Sequence, residues 1–191
     1  LLLTPKLASS VAHYYGRDRV MSESSAHYER SNGIPVTLRQ RMCSTAMQYA
    51  CGVTLITSYY DPSELPKAQN REFGAFMQRL TMLAEGGRHL ARVALYYPIE
   101  SLYLDTLPSD QSIYRRTFPE PYLGTANYFQ EVSLELLRRQ ADYDILNREA
   151  LLACRVERGC LVAPGGEAFS TLVLPPLSAL PRDLLAHLEA A

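Results

Sequence analysis

Apolar residues recur at helical spacing in three segments of the first half of the chain, and each segment ends at glycine. The first begins at Thr4-Pro5, a capping hydroxyl followed by a proline in the first turn, and ends at Gly16. The second is capped by Thr37 and ends at Gly52, and the third ends at Gly86-Gly87. The apolar faces comprise Leu7, Val11, Tyr14, then Leu38, Met42, Thr45, Ala46, Tyr49, and finally Phe73, Phe76, Met77, Leu80, Leu83. This pattern predicts three amphipathic helices.

Short β-prone or apolar runs lie between these helices, at residues 19–23 and 53–57. Strands of this kind that alternate with amphipathic helices are typical of parallel strands covered by crossover helices. Two strands with three helices cannot bury a sheet by themselves, so the first half requires further strands. The chain also starts at Leu1 without an initiator Met. We therefore expect it to be a piece of a longer protein.

The second half repeats the alternation of strands and helices after a boundary near residues 86–90. The predicted elements are a strand at 93–97, a long loop from Ser101 to Thr125, a helix at 127–140 capped by Asn127, a strand at 143–146, a short helix at 147–153, a hairpin at 155–162, a strand at 172–174 and a helix opened by Pro181. The order predicts a small doubly wound α/β unit. The expected domains are residues 1–88 and 89–191.

Composition and charge exclude several classes of protein. The 191 residues are 47% hydrophobic and 20% charged, which is typical of a folded globular chain. The net charge is -1 and like charges form no block, so neither nucleic acid nor membrane is an expected partner. The spacing of the cysteines Cys43, Cys51, Cys154 and Cys160 indicates neither a zinc cluster nor a redox pair. We expect buried free thiols, no metal and no cofactor.

Glu23 is the first candidate for chemistry, because it ends a predicted strand and a polar loop follows it. The loop contains Ser24, Ser25, His27 and Tyr28. In parallel α/β barrels the catalytic groups lie at this end of the strands, where the strand fixes the side chain and the loop shapes the pocket. Glu23 there suits an acid or a nucleophile. The alternative is a solvated loop glutamate.

Tyr59, Tyr60 and Asp61 follow the next strand and should lie at the same edge of the sheet. Aromatic faces suit the apolar side of a pyranose ring, and a carboxylate can bind sugar hydroxyls. The alternative is an ordinary strand end that leads into a loop containing proline. His13 is interpreted as a packing residue, and no Ser-His-Asp order, phosphate-binding glycine loop or metal-ligand spacing occurs.

Two segments of the chain resemble one family. Residues 8–23 (ASSVAHYYGRDRVMSE) and 79–101 (RLTMLAEGGRHLARVALYYPIES) resemble matching segments of large bacterial glycoside hydrolases related to α-L-rhamnosidases and β-galactosidase-like enzymes. The likeness extends through residues 142–144 and 172–176, so it covers nearly the whole chain. It implies the last two βα units of a catalytic (β/α)8 TIM barrel, followed by a small flavodoxin-like domain of the class I amidotransferase-like type.

The resemblance also implies roles for residues. The strand at 19–23 would be the seventh of the barrel, which places Glu23 as nucleophile in a retaining enzyme or as general base in an inverting one. The partner acid would lie upstream of this chain. Tyr59, Tyr60, Asp61 and His27 are the expected carbohydrate-binding residues, with tyrosines standing in for the tryptophan that this sequence lacks. The expected activity is hydrolysis of O-glycosidic bonds in oligo- or polysaccharides, with the isolated chain inactive.

The second domain lacks the reactive cysteine of amidotransferases and the phosphate loop of flavodoxins, the two classes of protein whose fold it is expected to share. Cys154 and Cys160 flank a predicted hairpin and not a nucleophile elbow, and residues 98–101 are not a phosphate loop. We therefore expect an assembly or pocket-completing module through which the protein could form a homo-oligomer. A second hypothesis for the whole chain is a non-catalytic carbohydrate-binding or oligomerisation module derived from such an enzyme. The resemblance is compatible with a secreted or periplasmic protein, in which any export signal would lie upstream of this chain.

Overall fold

The computed structural model describes residues 3–111 and 117–190, and the chain divides into two compact units. The first unit consists of Leu1–His13 and Arg17–His89, and the second of Tyr14–Gly16 and Leu90–Ala191. In chain order the elements are α1 (Leu3–Tyr14), β1 (Met21–Ser24), α2 (His27–Ser31), α3 (Leu38–Ala50), β2 (Leu55–Ser58), a 3-10 turn (Pro62–Glu64), α4 (Lys67–Ala84), β3 (Val93–Tyr96), α5 (Ile99–Leu104), α6 (Glu120–Arg138), β4 (Tyr143–Leu146), α7 (Arg148–Leu152), β5 (Arg155–Glu157), β6 (Cys160–Val162), β7 (Ala168–Phe169), β8 (Thr171–Val173) and α8 (Arg182–Glu189).

In the described part of the first unit, β1 and β2 form a two-stranded parallel sheet. Met21 pairs with Leu55 and Ser24 with Ser58. Helix α3 connects the two strands, and Thr37 caps it as predicted, through a capping box with Gln40. Helix α4 packs against α3, where the hydroxyls of Tyr49 and Thr81 lie 2.6 Å apart. The predicted helices and both strands are confirmed, with bounds shifted by a few residues.

Helix α1 buries Tyr14 of its predicted apolar face, but the other buried positions differ from the prediction. Leu7 and Val11 are 38% and 58% exposed, whereas Lys6, Ser9 and Ser10 are fully buried. The reason is that α1 lies very close to the residues that follow α3. A Cβ on Gly52 would lie 2.8 Å from the Cβ of Ser9, and the Ser9 hydroxyl donates a hydrogen bond to the Cys51 carbonyl over 2.6 Å. Small hydroxyl side chains fit this contact, and leucine would not.

The described part of the second unit contains a three-stranded parallel sheet in the order β4-β3-β8. Strands β3 and β4 are largely buried, with Ala94, Leu95 and Tyr96 of β3 fully so. A separate antiparallel sheet in the order β5-β6-β7 follows, and its first hairpin turns at Arg158-Gly159, both with positive φ. Strands β3, β4 and β8 and the hairpin confirm the predictions, and Asn147 caps α7. Strand β7 was not predicted.

Residues 99–138 differ most from the prediction. The expected loop from Ser101 to Thr125 is wrong, because α5 occupies Ile99–Leu104 and α6 begins at Glu120. Asn127 lies inside α6 and does not cap it. Pro121 stands in the first turn of α6, where its missing N–H has no helical partner to lose, so this proline favours the helix and does not break it. Residues 112–116 of the expected loop lie outside the described residues.

Both units are thus of mixed α/β type, with parallel strands joined through helices. Among the described residues, none of the helices combines the length and the apolar character needed to span a bilayer.

Candidate functional site

Strands β1 and β2 end side by side, which brings the residues that follow them to one edge of the sheet. Glu23 pairs with Thr57, and the Tyr59 N–H donates to the Ser24 carbonyl over 2.8 Å. The parallel register therefore places Glu23 and the Tyr59–Asp61 segment at neighbouring strand ends, as the sequence predicted from the order of the elements.

The two faces of this sheet differ in what they contact. Ser22 and Ser24 both hydrogen bond to the side chain of Gln48 on α3, so they face the helix layer. Side chains alternate along a strand, and Met21 and Glu23 consequently point to the opposite face. Thr57 shares that face, because its hydroxyl contacts the sulfur of Met21 at 3.4 Å.

Glu23 lies on the open side of the sheet. It is exposed, as are Met21 (59%) and Leu55 (44%). Among residues 3–111 and 117–190, no hydrogen bond or ion pair engages the Glu23 carboxylate. An exposed, unengaged carboxylate at a strand end is available to a ligand or a reacting group.

Tyr60 is held between side chains of the first unit. Its ring makes an edge contact with Phe73 at 5.7 Å between centroids, and the Arg41 guanidinium lies 4.4 Å above its centre. Its hydroxyl is 3.3 Å from the Ser24 hydroxyl. Packing on one face and one edge leaves this ring less area for stacking on a sugar than an exposed tyrosine would have.

Arg41 is a fully buried cation that sequence analysis missed. Its Nη2 donates to Glu64 over 2.5 Å, and Glu64 also accepts from Arg30 over 2.8 Å. Nε and Nη1 of Arg41 have no hydrogen-bond acceptor among the described residues. Because a lone buried charge is costly, the Glu64 carboxylate and the Tyr60 ring together account for its burial.

Asp61 caps the 3-10 turn that follows β2. Its Oδ1 accepts hydrogen bonds from the Ser63 N–H over 2.8 Å and from the Ser63 hydroxyl over 2.7 Å. These two bonds, the backbone one first, hold the pKa of Asp61 below its ordinary value because they favour the ionised carboxylate. One carboxylate oxygen of Asp61 therefore has a structural role, although the residue as a whole is exposed.

Tyr59 and His27 are the exposed members of the predicted set. Tyr59 is 58% exposed directly after β2. His27 is exposed at the first position of α2, with its N–H 3.4 Å from the Ser25 hydroxyl. Of the five predicted residues, Glu23, Tyr59 and His27 thus carry side chains open to a ligand, whereas Tyr60 and Asp61 also make contacts within the unit.

Gln48, Arg41 and Glu64 are the residues that sequence reasoning passed over at this edge. Gln48 and Arg41 are seven positions apart on α3, a spacing that puts two side chains on one helix face. That spacing was the available signal. It was masked by the predicted apolar face of α3, of which the structure fully buries Thr45, together with Arg41 from outside that face.

The remaining reactive side chains offer little chemistry. All four cysteines are free thiols. Cys51 and Cys154 are buried as expected, Cys160 is half-buried, and the expectation is wrong for Cys43, which is exposed. Burial raises the pKa of the Cys154 thiol to about 11, so Cys154 stays protonated at neutral pH. His13 stacks on His89 with ring centroids 3.7 Å apart, in agreement with a packing role.

Parallel strands joined by helices, with polar side chains gathered at the strand ends, define a mixed α/β protein. The fold is similar to part of a solved rhamnosidase from Novosphingobium sp. PP1Y, with a TM-score of 0.58 and 19% sequence identity. The likeness covers 99% of this chain and 18% of that enzyme, so the chain spans less than a fifth of the length of the protein it resembles. At this identity the likeness establishes a shared fold. Neither a protein-family model nor a curated protein matches the sequence.

Proposed function

We propose that this chain is the C-terminal part of a glycoside hydrolase and that Glu23 is one of its two catalytic carboxylates. The observation that carries the proposal is the placement of Glu23 on the open face of the β1–β2 sheet, at its carboxyl end, with no partner among the described residues. Catalytic groups of (β/α)8 enzymes occupy this end of the strands. The fold likeness to part of a rhamnosidase supports the same assignment.

The β1–β2 sheet would be the last two βα units of a TIM barrel. Its helix-covered face, with Ser22 and Ser24, would be the outer layer, and its open face, with Met21 and Glu23, would line the barrel interior. An exposed apolar side chain such as Met21 is what a sheet presents when neighbouring strands are still needed to cover it. The second unit would be the flavodoxin-like, amidotransferase-like domain, with a role in assembly.

Two reaction courses are open to Glu23. In a retaining enzyme its carboxylate attacks the anomeric carbon while the partner acid protonates the departing glycosidic oxygen, and water then hydrolyses the glycosyl ester. In an inverting enzyme Glu23 takes a proton from the water that attacks the anomeric carbon, while the partner acid protonates the glycosidic oxygen that departs. The separation of the two carboxyl groups, about 5–5.5 Å or about 6.5–9.5 Å, distinguishes these courses.

The partner acid is proposed to lie outside these 191 residues. At the same edge of the first unit, Asp61 is bound to Ser63 and Glu64 to two arginines, so both are engaged as anions. Tyr59 and His27 are the proposed contacts for the sugar, Tyr59 by stacking and His27 by hydrogen bonding, with Tyr60 and Asp61 at the margin of the site. The isolated chain is accordingly expected to be inactive.

The lack of a second unengaged carboxylate among the described residues of this edge also favours the alternative function, a non-catalytic carbohydrate-binding or oligomerisation module. Exposed Tyr59 would serve such a module equally well, because stacking on a sugar requires no catalytic pair. In that case the protein would bind saccharides without hydrolysing them.

The test uses the product of the complete coding sequence, assayed with a panel of aryl glycosides that includes rhamnosides. Glu23→Gln should lower kcat by about 10²- to 10⁴-fold while thermal stability is preserved, because the amide cannot act as base or nucleophile. Glu72→Gln, an exposed change on α4, is the matched control and should leave kcat unchanged.

Near-normal hydrolysis by the Glu23→Gln protein would remove Glu23 from the mechanism. Absence of hydrolysis combined with calorimetric binding of oligosaccharides, weakened by Tyr59→Ala, would favour the binding module. The anomeric configuration of the first product, read by proton NMR, would separate retention from inversion.

A further inference from the structure

The side chain of Gln48 bridges the two residues that flank Glu23. The Ser22 hydroxyl donates to Gln48 Oε1 over 2.5 Å, and Gln48 Nε2 donates to the Ser24 hydroxyl over 3.1 Å. One amide on α3 therefore holds β1 at two points, one on each side of Glu23. Gln48 thus connects the helix layer directly to the end of the strand that carries the candidate carboxylate.

This bridge constrains the direction of Glu23. Successive residues of a strand point to opposite faces of the sheet. Because the side chains of Ser22 and Ser24 are bonded to α3, the side chain of Glu23 between them must point to the open face. The Ser24 carbonyl is held as well, by the Tyr59 N–H at 2.8 Å, and its hydroxyl contacts that of Tyr60. The end of β1 is therefore held by Gln48, Tyr59 and Tyr60, and Gln48 makes two of these hydrogen bonds.

We propose that Gln48 is a positioning residue for Glu23. This inference rests on the proposed function, because it assigns Gln48 the task of presenting a catalytic carboxylate at a fixed angle. Reacting groups must be held close to their productive geometry, and small displacements of them cost large factors in rate. Gln48 lies behind the strand, on the face opposite to Glu23, so it acts through Ser22 and Ser24.

The chemistry of the amide explains why glutamine occupies this position. It offers an acceptor to one serine and a donor to the other, which leaves the Ser24 oxygen able to interact with the Tyr60 hydroxyl. Leucine has nearly the same volume and can make neither bond. Glutamate can accept from both serine hydroxyls, so Gln48→Glu keeps the bridge in a changed form.

The experiment compares Gln48→Leu and Gln48→Glu in the product of the complete coding sequence, with Gln40→Leu as control. Gln40 is a glutamine on the same helix that takes part in the capping box with Thr37, and among the described residues its side chain has no hydrogen bond to β1, so its loss weakens α3 without releasing the strand. Gln48→Leu should lower kcat by up to about 100-fold, with KM within about twofold of the unchanged protein. Gln48→Glu should recover most of the loss, and Gln40→Leu should leave kcat unchanged.

Amide hydrogen exchange provides a readout that does not depend on activity. The Tyr59 amide, which is bonded to the Ser24 carbonyl, should exchange faster in Gln48→Leu and at the original rate in Gln40→Leu. Ser22→Ala, which removes one of the two bonds, should give an intermediate loss of kcat, and it keeps the test decisive if Gln48→Leu does not fold.

One outcome would overturn the positioning role and leave the proposed function intact. It is full kcat in a folded Gln48→Leu or Ser22→Ala protein, in an assay in which Glu23→Gln shows its expected loss of kcat. An equal loss of kcat in Gln40→Leu would also overturn it, because the effect would then follow the stability of α3. Full activity in Glu23→Gln would instead overturn the proposed function, and the positioning role with it.

Discussion

Gly165 and Gly16 touch through their backbones. A Cβ on Gly165 would lie 2.1 Å from the nitrogen of Gly16, and the Gly165 N–H donates to the Tyr14 carbonyl over 2.9 Å. Both residues belong to the second unit, and Gly16 has a φ of +63°. The segment Tyr14–Gly16 is therefore held to the loop after β6 by main-chain contact, with no space for a side chain on Gly165.

We expect Gly165→Ala to lower the free energy of unfolding of the second unit by about 1–3 kcal/mol, because the added methyl must displace backbone atoms. Gly124→Ala is the control. Gly124 lies in α6, and no described atom outside the neighbouring backbone of that helix lies within 4 Å of its Cβ position, so alanine there should stabilise by up to about 1 kcal/mol through helix propensity. Chemical denaturation of both variants measures the difference. Equal stability of Gly165→Ala and the unchanged chain would contradict the close contact.

The Arg41–Glu64 pair leads to a prediction about buried charge. Arg41 is fully buried and the Glu64 side chain is 24% exposed, so Glu64→Gln should destabilise the first unit by about 3 kcal/mol by leaving the guanidinium without its counter-charge. The double variant Arg41→Met with Glu64→Gln should return to within about 1 kcal/mol of the unchanged chain, because it also removes the unpaired Nε and Nη1 donors.

Glu135→Gln is the matched control for that prediction. Glu135 pairs with Arg139 on the surface of α6, where the side chains are 49% and 74% exposed, so the loss should be below about 0.5 kcal/mol. Denaturant titration of the unchanged chain, the two single variants and the double variant measures these differences in the free energy of unfolding. A Glu64→Gln effect as small as that of Glu135→Gln would show that Arg41 does not depend on Glu64.

The capping role of Asp61 predicts a specific acid response. Its pKa is lowered in the folded state by the Ser63 N–H and, to a smaller extent, by the Ser63 hydroxyl. A group of this kind contributes stability that is present above its unfolded value of about 3.9 and is lost as the pH falls through the folded pKa. The carboxyl carbon of Asp61, followed by NMR from about pH 6 to about pH 2, should accordingly titrate below about 3.9.

Ser63→Ala separates the two causes. It removes the hydroxyl bond and retains the backbone N–H, so the pKa of Asp61 should rise only part of the way to its ordinary value. A midpoint at the ordinary value in the unchanged chain would mean that Asp61 does not cap the turn in solution.

Local signals in the sequence predicted most of the elements. The Thr37 cap and the turn at Arg158-Gly159 depend on residues within a few positions of each other, so their effect can be read without the fold. The prediction failed at the start of α6, where a loop was expected as far as Thr125. The helix forms there because it buries Thr125 and Phe129, a gain that depends on distant residues.

The sequence by itself determined that Glu23 lies near the end of a strand and that Tyr59–Asp61 follow the next one, because the order of strands and helices along the chain can be read from local periodicity. Only the tertiary structure decided which face each side chain occupies and what holds it there. Gln48 reaches Ser22 across 26 positions and Arg41 reaches Glu64 across 23. Such pairs form only once the helix has packed on the sheet, since burial selects polar partners that no local pattern specifies.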